Sequence, residues 1–328
     1  MSQSRALHEK GEGEALRLCL RELDDLEPPF ERVADSFAVS GSSLVGINFP
    51  LATVAEGLYA ASRYYGEQSL VAKHSQVCEF LAESTERSGF AYFERSKYPP
   101  DLDTAASLVR VLWRFTPQIV DAYDEIVHRN RLDNGLVPTW LDCNQEEWLR
   151  GGSHPFHVDV LMNYWLTEAS LGRMVDGSVV LGVVRMFGLG NYWYLPPLYT
   201  PYLYARLLKQ LEWFEEPFVE TLVSVLDKYD SYPEEYLSAS NVTRFPEVAT
   251  LVREAWSPMF NEVFRRAILA LVPTLTPRTS VSLLPTPTIL LGVPSEEGLY
   301  WSLQFRPFRS CPVASAIVIQ GLLASSGV

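Results

Sequence analysis

Two kinds of apolar pattern alternate along the chain. Residues 48 to 62, 101 to 115, 155 to 170, 197 to 211 and 311 to 325 carry few polar positions on any face, as helices buried on all sides do. Between them run segments with a single apolar stripe. Segment 67 to 84 aligns Leu70, Val71, His74, Val77, Cys78 and Leu81, and segment 117 to 129 aligns Ile119, Val120, Tyr123, Ile126 and Val127. Segment 217 to 228 does the same with Phe218, Val219, Leu222, Val225 and Leu226, and segment 258 to 273 with Met259, Phe260, Val263, Phe264, Ala267 and Ile268. These spacings predict helices with one wet face.

The all-apolar starts recur about every fifty residues with one gap, and each is followed by an amphipathic partner, the mark of stacked helical hairpins. An open solenoid would expose a concave face, and the inner segments are too apolar for that. The pattern therefore predicts an all-α fold, an (α/α)6 barrel in which six inner helices are ringed by outer ones, as one domain over residues 1–328 with 1–12 frayed. A sixth inner helix is expected within 234–256, where Tyr236, Val248, Leu251, Val252, Ala255 and Trp256 are weakly patterned. One departure from helix is expected between 284 and 308. There Thr288 to Val293 and Leu299 to Phe305 flank the turn-like Pro294-Ser295-Glu296-Glu297-Gly298 and predict a β-hairpin.

Composition narrows the classes of partner. With 47% hydrophobic residues the chain can build a large core, and its net charge of −13 opposes binding to nucleic acid or an anionic membrane surface. No apolar run reaches the roughly 20 residues of a membrane span, so no integral membrane segment is expected. The 4 cysteines lie far apart without a CxxC pair or a leader sequence, which predicts reduced thiols in a cytoplasmic protein.

Candidate chemistry gathers at the starts of the inner helices. Asp101-Leu102-Asp103-Thr104-Ala105 follows Pro99-Pro100, and His157-Val158-Asp159 opens the next inner segment with Asn163 four residues on. A helix start stabilises negative charge and its free N–H groups need caps, but a plain cap needs one acid. Burial raises a carboxyl's pKa while the helix start lowers it, so neighbouring acids can be driven toward different protonation states. Asp101, Asp103 and Asp159 can thus serve as a catalytic acid and its partners, or as oxygen ligands for Mg²⁺. The plainer alternatives are a cap at Asp101, a decorated first turn at Asp103 and a backbone-satisfying amide at Asn163. Asp142-Cys143 with His154 and His157 has the residue types of a zinc site without its spacing. Aromatic residues crowd the same rim: Trp140, Trp165, Tyr194, Tyr199 and Tyr202, with Trp301, Phe305 and Arg306 near the predicted hairpin. Such rings suit an apolar or cationic guest, and Arg306 an anionic group. Phosphate-binding loops, GxSxG elbows, HExxH and GxGxxG are all missing.

The Asp101-Leu102-Asp103-Thr104-Ala105 start, the Val158-Asp159-x-x-x-Asn163 stretch and Tyr194-Leu195-Pro196-Pro197 together resemble the α/α-toroid superfamily of terpenoid cyclases and protein prenyltransferase β subunits. Squalene-cyclase-like single-domain proteins are the nearest in kind. The resemblance implies isoprenoid or polyene cyclisation, an isomerase or lyase reaction, on a small apolar substrate without a required cofactor. Class II cyclases use the middle Asp of Asp-x-Asp-Asp as the acid, which corresponds to Asp103 when the motifs are aligned from the first Asp. Thr104 then replaces the last Asp, and alignment on Asp-Thr-Ala would put Leu102 at the acid's place. Two further expectations keep the fold and change the function. One is Mg²⁺-dependent ionisation of a prenyl diphosphate at Asp101, Asp103 and Asp159. The other is a non-catalytic toroid that binds a lipid or partner protein.

Overall fold

The computed structural model describes residues 16–30, 48–91, 99–144, 155–189, 194–195, 199–228, 265, 267–272, 289–291 and 308–324. Helices dominate them. The all-apolar segments become the inner helices α1 (Asn48–Tyr65), α3 (Leu102–Leu112), α5 (Val158–Ser170), α7 (Tyr199–Leu211) and α9 (Cys311–Ala324). The outer helices are α2 (Gln68–Ser88), α4 (Gln118–Asn130), α6 (Gly177–Phe187) and α8 (Glu216–Lys228). Of these only α6 was not picked out by an apolar stripe. The expected inner helix in 234–256 lies outside the described residues, and of segment 258 to 273 residues 267–271 are helical.

Inner helices follow one another round an arc in the order α9, α1, α3, α5, α7, and α2, α4, α6 and α8 pack outside. Burial explains the arrangement. From Val158 to Ala169 every residue of α5 is buried, whereas α4 buries only Ile119, Tyr123, Ile126 and Val127. A helix apolar on all sides is removed from water only when other helices surround it, and at about 25 cal/mol per Å² this burial is the main driving force for the ring.

Local chemistry fixes the turns. Gly66, at φ 66°, reverses the chain between α1 and α2 in a conformation that costs other residues strain. Asn48 then ties the start of α1 to the end of α2, accepting from Ser84 Oγ at 2.7 Å and donating to Ser88 Oγ and the Ala91 carbonyl, each at 3.2 Å. Gly57 on α1 admits α9 closely: a Cβ there would fall 2.6 Å from Ala316 Cβ and 2.7 Å from its Cα.

The strap 137–141 sets the heights of α3 and α5. Leu102 N–H donates to the Thr139 carbonyl at 2.9 Å, and His157 N–H to Thr139 Oγ1 at 3.3 Å. Leu141 N–H returns to the Pro100 carbonyl at 2.8 Å, and Trp140 bridges Asp101 through the backbone. Both inner helices therefore start at one level.

Strands are a minor feature. Tyr194–Leu195 (β1), Ile289–Leu291 (β2) and Phe308–Ser310 (β3) form an antiparallel patch in the order β1-β2-β3. The hairpin predicted between 288–293 and 299–305 is not supported. Its first arm pairs instead with 308–310 and with 194–195, while 299–305 lie outside the described residues. A strand short of partners takes whichever edges the helices bring to it, and sequence alternation cannot encode that choice.

Candidate active site

The acids at the starts of α3 and α5 meet inside the ring. Asp101 caps α3, its Oδ1 accepting the Thr104 N–H at 2.8 Å. Two residues on, Asp103 is turned inward, 3% exposed, and its Oδ1 accepts a hydrogen bond from Asn163 Nδ2 of α5. Asp159 stands one turn above Asn163, 1% exposed. Among the described residues, Oδ2 of Asp101, Oδ2 of Asp103 and both carboxylate oxygens of Asp159 are buried without a hydrogen-bond partner.

Burial without a cation in contact among the described residues shifts all three carboxyl pKa values upward. Asp101 is pushed up to about 6 by burial, against the opposing backbone hydrogen bond from Thr104. Asp159 rises to about 7, again by burial. The N–H groups of Asp159 and Val160 pull the other way without forming a regular hydrogen bond. Asp103 lies well above the ordinary carboxylate range: burial raises it most, the negative charges of Asp101 and Asp159 add to that, and Arg110 and the Asn163 bond oppose it. This crowding in a buried site favours the neutral form of Asp103, whose Oδ2 has no hydrogen-bond partner among the described residues.

Below the acids an ionic layer crosses the ring. Glu56 of α1 accepts Arg110 Nε of α3 at 2.6 Å on Oε1 and Arg206 Nη1 of α7 at 3.2 Å on Oε2. Since α1 and α7 are separated along the arc by α3 and α5, the second pair spans the interior. Burial works against ionised Glu56, yet the two guanidiniums outweigh it and hold the carboxyl down at about 2. Arg110 Nη1 reaches onward to the Asn163 carbonyl at 3.3 Å, Asn163 Oδ1 at 3.1 Å and Thr167 Oγ1 at 3.3 Å. Arg206 Nη1 also meets Gln320 Oε1 of α9 at 3.3 Å, and its guanidinium lies 5.7 Å from the Tyr202 ring centre. Helical spacing presents these groups. Asp103, Ala106 and Arg110 share a face of α3; Asp159, Asn163 and Thr167 share one of α5; Tyr199, Tyr202 and Arg206 share one of α7.

The candidate residues separate accordingly. Asp101, Asp103, Asp159 and Asn163 come together, and Trp140, His157, Tyr199 and Tyr202 are buried around them or on the same inner face. Tyr199 feels the charges of Asp103, Glu56, Arg110 and Arg206, and burial drives its hydroxyl far above its usual range. Trp165, two positions past Asn163, lies on the opposite side of α5 and belongs to the general core. Tyr194 lies in β1, while Trp301, Phe305 and Arg306 lie outside the described residues. Among the described residues no group of three His, Cys, Asp or Glu side chains is arranged as a metal site. Asp103 spends one carboxylate oxygen on Asn163. Of the residues with zinc-ligand chemistry, Asp142 is taken by Arg129 Nη2 at 2.7 Å and Asn130 Nδ2 at 2.9 Å, and His154 lies outside the described residues. Glu56, Arg110, Arg206 and Thr167 are site residues that sequence reasoning missed. Their signal was a charge standing inside an otherwise apolar helix.

No protein-family model and no curated protein sequence matches the chain. Solved structures match its fold. The type II terpene cyclase MstE from Scytonema covers 97% of this chain and 99% of its own, with a TM-score of 0.60 at 12% identity. An Asp-to-Asn variant of that enzyme in complex with its substrate, geranylgeranyl dihydroxybenzoate, gives a TM-score of 0.61 at 12% identity over 97% and 98% of the two chains. A protein from Actinoplanes gives 0.54 at 15% identity over 96% and 99%. The chain thus has a terpenoid-cyclase-like α/α-toroid fold. Among the described residues no helix is long and apolar enough to cross a membrane.

Proposed function

We propose that the chain is a terpenoid-cyclase-like enzyme, a single toroidal domain that cyclises an isoprenoid or polyene with Asp103 as the general acid. The observation that carries this reading is the arrangement of one carboxyl: Oδ1 bound by Asn163, Oδ2 buried without a hydrogen-bond partner among the described residues, and a burial that favours its neutral form. Protonating an alkene asks two things of an acid. The proton must be present before the substrate arrives, and the carboxylate left behind must be stabilised as it forms. Burial with Asp101 and Asp159 answers the first; the Asn163 N–H and the positive charge of Arg110 answer the second.

In the proposed step the Asp103 Oδ2–H bond breaks, a C–H bond forms at the alkene terminus, and the positive charge passes to the adjacent carbon, where the next double bond attacks. Final loss of a proton closes the reaction, so product and substrate have equal mass. Buried Trp140, Tyr199 and Tyr202 favour cationic intermediates through their ring faces and exclude water that would trap them. No cofactor enters this scheme.

The purified full chain, incubated with geranylgeranyl dihydroxybenzoate or geranylgeranyl diphosphate, tests it by mass spectrometry of the products. A cyclised isomer of unchanged mass is expected, formed equally in EDTA and absent with Asp103→Asn. Full turnover by a folded Asp103→Asn variant would remove Asp103 as the acid. Loss of diphosphate, abolished by EDTA, would instead establish ionisation.

A further inference from the structure

We propose that Glu56 and Arg110 are positioning residues that lock the side-chain amide of Asn163, so that it donates to Asp103 Oδ1 and leaves the acid's proton on Oδ2. The inference rests on the cyclase reading for its purpose, but its geometry stands apart from any substrate. A carboxamide presents an acceptor at one end and donors at the other, and a half-turn about its last bond exchanges them. Facing a neutral carboxyl, either end can form a hydrogen bond. With Nδ2 forward, Asn163 donates to Asp103 Oδ1 and the proton is left on Oδ2. With Oδ1 forward, Asn163 would accept that proton and hold it away from a substrate.

Arg110 decides between the two. Its Nη1 can only donate, and it lies 3.1 Å from Asn163 Oδ1, 3.3 Å from the Asn163 carbonyl and 3.3 Å from Thr167 Oγ1. The acceptor end of the amide is therefore turned to Arg110 and the donor end to Asp103. Thr167 reinforces this level of α5 against α3, donating to the Ala106 carbonyl at 3.1 Å. Glu56 in turn holds Arg110 through Nε at 2.6 Å, so the guanidinium is fixed from its far side. The chain runs Glu56, Arg110, Asn163, Asp103 across α1, α3 and α5. A lysine would keep the charge of Arg110, but its single ammonium lacks the planar fork that grips Glu56 with one edge and Asn163 with another.

The test reads the protonated carboxyl directly. Isotope-edited infrared spectra of protein labelled at aspartate report the Asp103 C=O stretch, assigned by its loss in Asp103→Asn, and follow its titration. Among the described residues the charged and titratable groups facing Asp103 are Asp101 and Arg110 of its own segment, Asp159 of α5 and Tyr199 of α7. In Arg110→Lys the charge remains, so the expected change is in the stretch: the band moves as the Asn163 hydrogen bond to Oδ1 is lost. Turnover of whichever isoprenoid probe is accepted falls about tenfold to a hundredfold, as misorientation of a reacting group does. Glu56→Gln, nearly isosteric, is the second variant and moves the band the same way by a smaller amount. In an Asn163→Leu background Arg110→Lys adds no further change, because Arg110 acts through the amide.

An unmoved band in both variants overturns the proposal, as does an Arg110→Lys effect of full size in the Asn163→Leu background. If the bands behave as stated and no isoprenoid probe is turned over, the relay holds and the cyclase reading fails.

Discussion

Two layers of acid lie about two helical turns apart within the same ring, and the same element of chemistry behaves in opposite ways in them. In the upper layer Asp101, Asp103 and Asp159 are buried with no guanidinium in contact among the described residues, and their pKa values climb. In the lower layer Glu56 is buried between Arg110 and Arg206 and falls to about 2. Burial is common to both, so it is the placement of two arginines that separates an acid which stores a proton from one which never carries it. The lower layer pairs its charges, and the upper layer leaves buried carboxyl oxygens without partners among the described residues. Arg110 joins them, since it binds Glu56 below and Asn163 above.

Substitutions can break this contrast at either level. The largest expected effect is on turnover: Asp103→Asn lowers it by roughly 10² to 10⁴-fold, the usual contribution of a general acid, with an unchanged circular dichroism spectrum. Glu56→Ala strands the nearly buried guanidinium of Arg110 and the partly exposed one of Arg206, and is expected to destabilise the chain by up to about 3–5 kcal/mol in urea unfolding. Gly57→Ala, next to it, pushes α1 from α9 at Ala316 and should cost about 1–3 kcal/mol by overpacking, with Glu56 left intact.

The smallest effect sharpens the comparison through pH. A carboxyl with a raised pKa binds its proton more tightly folded than unfolded, so the folded state loses stability as pH climbs between the two values. For Asp159 that window runs from 3.8 to about 7. Asp159→Asn should therefore leave the melting temperature unchanged near pH 4 and raise it at pH 8, by about 1–3 kcal/mol of stability, since the substitute amide is still buried. Glu56 has the opposite sign. Its contribution is complete above 4.5 and is lost as pH falls toward about 2, so Glu56→Gln should matter least in strong acid.

Reading the sequence recovered the ring because an inner helix advertises itself by lacking a polar face. Boundaries moved where turn chemistry intervened: α3 stops at Leu112, short of the predicted 115, and α5 begins at Val158, after the strap bond to His157. Helix α6 escaped notice because only Val180, Val183 and Val184 of its eleven apolar-rich residues are buried, and Gly177 and Gly182 interrupt it. At the site, Asp101, Asp103, Asp159 and Asn163 were legible as polar residues at the heads of apolar helices. Glu56, Arg110 and Arg206 were not, since each looks like a stray charge until its partner, 54 or 150 positions away, is brought across the ring. Trp165 was misread because aromatic content does not say which side of a wholly buried helix faces the interior.

The packing of Gly57 on Ala316 has a consequence for synthesis. Helix α1 is made well before α9, yet they are neighbours in the ring. While the ribosome builds the chain, the flank of α1 that α9 will cover has no partner, and residues such as Gly57 gain their contact only when residues 311–324 emerge. Closure over so long a separation is slow, and the open ring exposes apolar surface meanwhile. A chain that ends before residue 311 therefore keeps that flank open, and adherence to other nascent chains follows more readily than partial activity.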